Sequence, residues 1–337
     1  MPKLRGAVFG CGMVSEFHLR AWQRIPEVEI VALGDRSLER AGQRRHQFAL
    51  AVPVYADLPA MLDGESLDFV DILTPPALHR EHCLIAKQAG VHIICQKPLC
   101  ESLQEARELV REMGSYSRLF AVHENHRYRP WFRPLREKLH AGFVGEPSLL
   151  KIEHLNATGP AIAYKREAER GVLLEYGSHL VDMMRCLLGE PIRVYARVHR
   201  PNRGVRGESL VHAVYEYGHA TAVVEAGWKD AAITQGVVLL LGSEGEAYYE
   251  GTLTRGETGR FHLSRGSEVV LDEVRCPYDD YLESFYLFQR ECVDVMLGRR
   301  SGVEQTAEEH LKTLACTFAA YQSAAHGGLM EISEGTV

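Results

Sequence analysis

The chain begins with the run LRGAVFGCGMVS at residues 4–15, in which an apolar segment breaks into Gly-x-Gly and then into helix-forming residues. This order predicts a β-strand, a tight turn and a helix start, where backbone N–H groups can approach a bound pyrophosphate. A second apolar run, VALGD at residues 31–35, ends in an acid that can accept the ribose hydroxyls of an adenosine. The sequence therefore predicts a dinucleotide site.

The predicted cofactor contacts lie in and around this turn; they are Gly10, Cys11, Gly12, Met13, Val14, Asp35 and Arg36. Asp35 favours NAD, because its carboxylate would repel the 2′-phosphate of NADP. Arg36 leaves NADP possible, since a guanidinium at the same edge could bind that phosphate. The alternative is a tight strand-to-helix turn that binds no ligand.

Composition indicates a globular protein of more than one domain. The chain has 337 residues, 46% of them hydrophobic and 25% charged, with a formal net charge of −7. This charge argues against nucleic acid and anionic lipid as partners. We find no membrane-spanning run and no signal peptide, and we expect a cytoplasmic protein.

The cysteine and histidine spacings indicate no metal site. The eight cysteines are scattered without a Cys-x-x-Cys pair, so we interpret them as free thiols, mostly buried. The histidine pairs 79/82 and 123/126 have no third or fourth ligand at the usual zinc spacing. No metal is expected.

The pattern of apolar segments changes near residue 123. Before it, strand candidates at 4–9, 29–34, 69–73, 91–95 and 118–122 alternate with helices, which predicts a doubly wound parallel sheet in residues 1–123. After it, strand candidates follow one another from 147 to 271 with short turns, and helices are expected near 172–188, 278–298 and 304–326. Residues 124–337 are therefore expected to form an open-faced, mainly antiparallel sheet with helices on one face.

The strand at residues 237–241 is apolar on both of its faces. Exposure of an apolar outer face to solvent is unfavourable, and contact with a partner subunit is the simplest way to bury it. We expect a homodimer or homotetramer formed through this sheet.

Lys97 follows the strand candidate at 91–95, within the tripeptide Gln96-Lys97-Pro98. Ligands of open parallel sheets bind at the carboxyl ends of the strands, so Lys97 would face the nicotinamide. A solvated surface lysine is the alternative.

A second candidate cluster is the segment EYGSHLVD at residues 175–182. On a helix, Glu175, His179 and Asp182 share one face, because their spacings are i,i+4 and i,i+3. A neutral histidine near an acid is suited to take the proton of a hydroxyl that is being oxidised. A salt bridge at a helix start beside a core histidine is the alternative.

Several motifs together resemble the glucose-fructose oxidoreductase, inositol dehydrogenase and MocA family over nearly the whole chain. They are Gly10-x-Gly12, TPPALH at 74–79, AGVHIICQKP at 89–98, NHRYRP at 125–130, GSHLVD at 177–182 with LLG at 187–189, and YQSA at 321–324. The resemblance implies a Rossmann domain, a sheet domain that binds substrate and forms oligomers, and a nicotinamide cofactor.

The resemblance also implies roles for single residues. Lys97 matches the family's catalytic lysine, His179 its catalytic histidine, and Glu175 the acid before it. Thr74, Pro75 and His79 match the segment that borders the nicotinamide, and we add Gln96, Lys97 and Asn125 to the expected cofactor contacts. Two positions depart from the family's usual pattern, since it has glutamate at Gln96 and aspartate at Glu175.

The leading functional hypothesis is an NAD(P)-dependent enzyme that oxidises a secondary alcohol, or reduces a ketone, of a sugar, cyclitol or related polyhydroxy compound. The residues expected to bind this substrate are Lys97, Arg127, His154, Asn156, Lys165, Trp228, His179 and Tyr281, with Arg166 a further candidate. One alternative is a redox-neutral enzyme that uses tightly bound NAD for elimination, glycoside cleavage or isomerisation. Another is a dinucleotide-binding regulator without catalysis.

Overall fold

The structure is a computed structural model that describes residues 2–332 except 158, 161, 230–233, 252, 254–258 and 276. Two units are distinguished. The first comprises Met1–Asn125 and Leu282–Leu311, and the second comprises His126–Tyr281 and Lys312–Val337. The boundary at 123/124 expected from the sequence stays a prediction, and Cys276 lies outside the described residues.

The first unit contains a six-stranded, fully parallel sheet. Its strands are β1 (Leu4–Phe9), β2 (Val28–Gly34), β3 (Val54–Tyr55), β4 (Phe69–Ile72), β5 (His92–Gln96) and β6 (Phe120–His123). The order β3-β2-β1-β4-β5-β6 reverses direction at the β1–β4 pair, which is where open sheets bind their ligands. The predicted doubly wound sheet is confirmed; β3 was not anticipated.

Five helices connect these strands. They are α1 (Ser15–Trp22), α2 (Leu38–Gln47), α3 (Leu58–Gly64), α4 (His79–Ala89) and α5 (Leu103–Met113). Side-chain caps define three of the starts, because Ser37, Asp57 and Ser102 each accept a backbone N–H three residues further on. Helix α4 ends at Gly90, whose φ of +73° is the left-handed conformation typical of a helix C-terminus.

The second unit contains a nine-stranded sheet that is antiparallel except for one pair. Its strands are β7 (Pro147–Asn156), β8 (Arg193–His199), β9 (Leu210–Glu216), β10 (Thr221–Trp228), β11 (Gln235–Gly242), β12 (Gly245–Gly251), β13 (Gly259–Arg265), β14 (Glu268–Arg275) and β15 (Met330–Glu331). The order is β14-β13-β12-β11-β7-β10-β9-β8-β15, and β7 and β10 run parallel. The predicted mainly antiparallel sheet is confirmed.

The remaining helices are α6 (Phe132–His140), α7 (Ala163–Glu167), a π-helical turn (Leu173–Gly177) that continues into α8 (Ser178–Leu188), α9 (Pro277–Met296) and α10 (Ala307–His326). One face of the sheet is buried, as Ile152 and Val224 show, and packs in a core with residues of α8 such as Leu180. Residues of the opposite face, such as Val223, are half-buried. Among the described residues, no helix has the length and apolar character that crossing a membrane requires.

Candidate active site

The turn after β1 accepts only glycine at its first position. Gly10 has a φ of +109°, and a Cβ at this residue would lie 2.5 Å from the carbonyl carbon of Leu73. A side chain is therefore excluded both by the backbone conformation and by the chain that follows β4. At Gly12, by contrast, a Cβ would meet nothing within 4 Å. The backbone of this turn is thus open to a ligand on the side of Gly12.

The peptide groups that lead into α1 can bind an anion. Within the described part of the chain, the backbone N–H groups of Gly12, Met13 and Val14 donate to no protein acceptor. Ser15, which occupies the third glycine position of the fingerprint, donates its hydroxyl to the Gly12 carbonyl at 2.6 Å. N–H groups at a helix start carry the positive end of the helix dipole. This turn therefore fits a pyrophosphate.

Two backbone amides hold the Asp35 carboxylate at the end of β2. The Cys11 N–H donates to Oδ2 and the Ser37 N–H donates to Oδ1, both at 2.9 Å. Arg40 lies 3.7 Å from this carboxylate, and the Arg36 side chain is exposed. Asp35 is thus fixed beside the glycine turn, where an acid can accept ribose hydroxyls.

His79 connects the loop after β4 with the turn after β5. Its Nε2 lies 2.7 Å from the Thr74 carbonyl oxygen and its Nδ1 lies 3.0 Å from the Pro98 carbonyl oxygen. Burial lowers the pKa of His79 to about 4 against the effect of these carbonyls, so its imidazole is neutral near pH 7. Pro75 comes directly before the short 3₁₀ helix Pro76–Leu78 in the same loop. The segment predicted to border the nicotinamide is therefore fixed by internal contacts.

Lys97 directly follows the carboxyl end of β5, the position expected from the sequence. Its backbone N–H donates to Gln96 Oε1 at 2.7 Å, and Lys97 is half-buried between the buried residues Gln96 and Pro98. Asn125, another predicted cofactor contact, donates its amide to the Ser284 hydroxyl at 2.7 Å. That amide therefore also serves to fasten residues 282–311 within the first unit.

The helix that carries the predicted catalytic residues of the second unit begins on a buried carboxylate. Glu208 accepts the backbone N–H groups of Gly171 and Leu173, each at 3.0 Å. The Tyr321 hydroxyl donates to the same carboxylate at 2.6 Å. An acid at this end satisfies helix-start N–H groups that have no partner within the helix. Glu208 and Tyr321 thereby set where the π-helical turn begins.

Four rings form an aromatic cluster made of His126, His154, Tyr176 and His179. The rings of His126 and His179 stack with centroids 3.9 Å apart, and those of His154 and Tyr176 stack at 4.3 Å. His126 Nε2 lies 3.3 Å from the Tyr176 hydroxyl, which links the two stacks. Two residues predicted from the sequence, His154 and His179, are thus brought together in one cluster.

His154 is a buried polar side chain whose bonding capacity the protein does not use. Within the described residues neither of its ring nitrogens has a hydrogen-bond partner, and the residue is 1% exposed. Burial, with a smaller effect from Arg129, lowers its pKa to about 3, so the ring is neutral. Leaving such a group unsatisfied costs about 1–3 kcal/mol, which a polar ligand would recover.

Lys165 forms an ion pair with Glu175, the residue that precedes Tyr176 of the aromatic cluster. Burial disfavours the ammonium form of Lys165, but the Glu175 carboxylate outweighs it and raises the pKa of Lys165 above its ordinary value. Both side chains remain partly exposed. A cation and a carboxylate in this arrangement can donate to and accept from the hydroxyls of one ligand.

The structure assigns Arg127 and Asp182 to each other. Arg127 Nε and Nη2 donate to the two Asp182 oxygens at 2.8 and 2.6 Å, and the Thr313 hydroxyl donates to Oδ1 at 2.9 Å. Burial opposes the charge on Arg127, yet Asp182 raises its pKa well above the ordinary value. Arg127, predicted to bind substrate, and Asp182, predicted to lie beside His179, are therefore committed to a buried ion pair.

The other predicted substrate residues are spread over the second unit. Asn156 accepts from the Thr234 hydroxyl at 3.4 Å, Trp228 is buried at the end of β10, and Arg166 is exposed. The Tyr281 ring lies under the Arg129 guanidinium at 5.4 Å from its centroid. None of these contacts by itself assigns a ligand.

Sequence reasoning did not select His126, Tyr176 or Glu208. His126 lies in the motif at 125–130, and Tyr176 lies in the segment at 175–182. Each is the sequence neighbour of a residue that was selected, and this position beside a candidate is the signal that could have identified them. No local pattern marked Glu208, because its role depends on a helix start 35 to 37 residues away in sequence.

Two family models match the chain. Residues 4–124 match a model described as oxidoreductase family, NAD-binding Rossmann fold, and residues 132–248 match the GFO/IDH/MocA C-terminal domain.

Relatives extend the similarity over the whole length. The chain is 32% identical to a D-apiose dehydrogenase of Paraburkholderia graminis, covering 98% of this chain and 90% of that protein. It is 29% identical to a D-apiose dehydrogenase of Rhizobium rhizogenes, covering 98% of both. A crystal structure of an Agrobacterium radiobacter oxidoreductase in complex with NAD+, L-tartaric acid and magnesium superposes with a TM-score of 0.85, at 27% identity and with 98% of both chains covered.

Proposed function

Because this chain belongs to the GFO/IDH/MocA family of NAD-binding oxidoreductases, we propose that it oxidises a secondary alcohol of a small polyhydroxy compound, or reduces the ketone. The family relatives include dehydrogenases of D-apiose and of inositol, and the Agrobacterium structure holds L-tartaric acid. All three names denote small molecules with several hydroxyl groups. A sugar, cyclitol or hydroxy acid of similar size is therefore the proposed substrate class.

The residues of the first unit fit the nicotinamide dinucleotide that the family binds. The amides of residues 12–14, which have no protein acceptor among the described residues, suit the pyrophosphate, and the fixed Asp35 carboxylate suits the ribose hydroxyls of NAD. When bound, this cofactor supplies the hydride acceptor for alcohol oxidation. The protein supplies the binding, the orientation and the proton transfer.

In the proposed oxidation, His179 accepts the hydroxyl proton as the carbinol carbon loses its hydride, for which a bound nicotinamide would be the acceptor. The ammonium group of Lys97 stabilises the developing alkoxide, and in ketone reduction the protonated His179 returns the proton to the alkoxide oxygen. The balanced result is a ketone, reduced cofactor and one proton. Stacking of His126 on His179 supports this role, because it holds the imidazole of the base in one plane.

The remaining hydroxyls of the substrate are assigned to the aromatic cluster and the Lys165–Glu175 pair. The unsatisfied nitrogens of His154 are the observation that carries this assignment, since they are buried, neutral and without a protein partner in the described residues. A neutral imidazole can both donate to and accept from a hydroxyl. Glu175 and Lys165 add one acceptor and one donor.

The test is a substrate panel with the purified protein, in which reduced-nicotinamide absorbance and the oxidised product are both measured. D-apiose, aldoses, inositols, uronates and L-tartrate are supplied in turn, with NAD and NADP in parallel. We expect equimolar product and reduced cofactor with at least one small polyol, and better turnover with NAD. Substrate conversion without net cofactor reduction would establish the redox-neutral alternative, and binding of cofactor without any turnover would establish a regulator.

Replacing His154 with phenylalanine tests the substrate assignment. The change keeps the stack on Tyr176 and removes both ring nitrogens, so KM should rise about tenfold while kcat changes little. His199→Phe, an exposed histidine on β8, is the matched control and should leave KM unchanged. Because His154 stays neutral, its titration should cause no change of the wild-type KM between pH 5 and 8. An unaltered KM in His154→Phe would remove His154 from the binding site.

We also propose that the protein is a homodimer or homotetramer formed through the outer face of the nine-stranded sheet. Leu149, Val223, Val237 and Leu239 are half-buried side chains on neighbouring strands of that face. Light scattering coupled to size-exclusion chromatography should give two or four times the monomer mass. Val223→Lys should reduce that mass without loss of NAD affinity, and a monomeric wild type at micromolar concentration would contradict the proposal.

Seven cysteines are free thiols in the described residues, six of them buried. This supports the reducing cytoplasm as the proposed location.

A further inference from the structure

A continuous line of buried hydrogen bonds runs through the first unit to the backbone of Lys97. His18 Nδ1 lies 2.8 Å from Asp71 Oδ2, and the Trp22 indole N–H donates to the same oxygen at 2.7 Å. His18 Nε2 lies 2.9 Å from Gln96 Nε2, and Gln96 Oε1 accepts the Lys97 N–H at 2.7 Å. Asp71 and His18 are fully buried, and Gln96 is 9% exposed.

The backbone N–H of Lys97 determines the donor and the acceptor in each hydrogen bond from Lys97 through Gln96 and His18 to Asp71. A backbone N–H can only donate, so the Gln96 atom facing Lys97 is the amide oxygen and the amide nitrogen faces His18. That nitrogen can only donate, so His18 Nε2 must accept and carries no proton. The remaining ring proton is then on Nδ1 and is donated to Asp71. The line therefore requires a neutral His18 in a single tautomer.

The surroundings of His18 keep the ring in place. The ring of His123 on β6 lies 4.1 Å from it between centroids, and the Phe285 ring lies 5.2 Å away. Gln289, also in residues 282–311, has its amide nitrogen 3.4 Å from both the Nδ1 and the carbonyl oxygen of His18. His123 is thus the one further titratable ring packed against His18 among the described residues.

Among the described residues, two thiols also interact with Asp71, those of Cys95 on β5 and Cys292 in residues 282–311. Burial raises the pKa of both thiols well above the ordinary value, so they stay uncharged. Asp71 therefore contributes the one carboxyl group of the line.

We propose that Asp71, His18 and Gln96 form a positioning relay that fixes the backbone of Lys97, and that this relay works with a neutral histidine because position 96 is an amide. The positioning role rests on the proposed function of Lys97. The hydrogen-bond polarity does not rest on it. The relay fixes the turn through the backbone N–H of Lys97, and His79 contacts the same turn at the Pro98 carbonyl oxygen.

Gln96→Glu reverses the requirement on His18 without a change of size. The new carboxylate can still accept the Lys97 N–H, but its second oxygen cannot donate to His18. The contact is kept only when one proton is taken up between this oxygen and His18 Nε2, either on the ring as an imidazolium between two carboxylates or on the carboxyl, which then donates to the neutral ring. This variant therefore distinguishes a directional relay from simple packing.

The polarity is read by nitrogen-15 NMR of histidine side chains, with His18 assigned by the signals missing from His18→Asn. In the wild type at neutral pH we expect a protonated Nδ1 and an unprotonated Nε2, and in Gln96→Glu we expect one added proton at this contact, on Nε2 or on the carboxyl. A wild-type His18 that is doubly protonated, or that carries its single proton on Nε2, would overturn the relay. This measurement needs no substrate and no active enzyme.

The positioning role is tested by kinetics. Gln96→Leu removes both bonds of the side chain, and kcat should fall by about tenfold to a hundredfold with a smaller change in KM. Gln96→Glu should restore most of kcat at and below neutral pH. As the pH rises, the added proton is released, the contact is lost and activity should fall, a pH dependence that the wild type lacks.

Gln104→Leu, an exposed glutamine on α5, is the matched control and should keep wild-type kcat. An unchanged kcat in Gln96→Leu, alongside a Lys97 variant that is inactive, would overturn the positioning role. A Lys97 variant that stays active would overturn it too, through failure of the proposed function, while the NMR result would still decide the polarity. If Gln96→Leu does not fold, the spectrum and pH profile of Gln96→Glu carry the test.

Discussion

Lys97→Met is expected to lower kcat about a thousandfold, because the methionine has no ammonium group to stabilise the developing alkoxide. Methionine retains much of the length and apolar stem of lysine, so the backbone contact with Gln96 and the buried Pro98 should remain. The measurement is the single-turnover rate of cofactor reduction with a substrate found in the panel, together with the dissociation constant of NAD. The constant should be unchanged, since the pyrophosphate and ribose contacts lie elsewhere in the first unit.

The control for this prediction is Lys138→Met, which removes an exposed lysine of α6. It should retain full activity. A Lys97→Met protein that reduces NAD at the wild-type rate would show that the lysine is a surface charge. Loss of NAD binding in the same variant would instead assign Lys97 to holding the cofactor.

Arg127→Met should lower the free energy of unfolding by about 3–5 kcal/mol, the usual cost of leaving a buried charge without its partner. Asp182 is fully buried and binds Arg127 through both oxygens, so the substitution removes two charge-assisted hydrogen bonds, although the Thr313 hydroxyl and the more distant Arg185 guanidinium still face the carboxylate. Urea unfolding followed by circular dichroism measures the change. In Arg127→Met/Asp182→Leu much of the loss should be recovered, because both charges are then absent.

Arg193→Met is the matched control for an exposed ion pair. Arg193 donates to Glu216 at 2.6 Å, but the two side chains are 42% and 39% exposed, and the loss should be about 1 kcal/mol or less. If Arg127→Met unfolds like the wild type but has a raised KM, the guanidinium binds substrate and the ion pair is secondary. The paired measurement therefore decides between the two roles of Arg127.

The parallel half of the fold could be predicted because its signals are local. Residues 4–9 were identified as a strand with the observed bounds, and Asp35 directly follows the next strand, where a ribose-binding acid is expected. Helices α2 and α5 begin on serine caps that are visible in the sequence. The strand β3 has only two residues, too few for an apolar pattern to rise above its surroundings.

The mixed character of the second sheet could not be predicted in the same way. Strands β7 and β10 are parallel neighbours, although 64 residues separate Asn156 from Thr221. Each strand has the alternation that an antiparallel neighbour would also produce. Pairing across such a separation depends on packing of the whole unit, which short windows of sequence do not contain.

The residues of the candidate site also differ in whether local sequence signals or long-range contacts identify them. Lys97 and His179 could be selected because each follows from a strand end or a helix spacing. The aromatic cluster draws His126, His154 and Tyr176 from three segments, and the helix around Tyr176 begins as a π-helical turn that alters the i,i+4 geometry. Long-range contacts of this kind were therefore missed, as was the commitment of Asp182 to Arg127.

The discontinuous first unit has a consequence for how this protein is made. Its sheet is complete by residue 123, but Phe285 and Gln289, which pack on His18, are translated only after nearly all of the second unit. During synthesis, the early strands are therefore present before the segment that covers His18. The packing of Phe285 and Gln289 against His18 can form only after that segment has been translated. A gene fragment that stops at residue 125 would encode the dinucleotide turn without the residues that pack against His18.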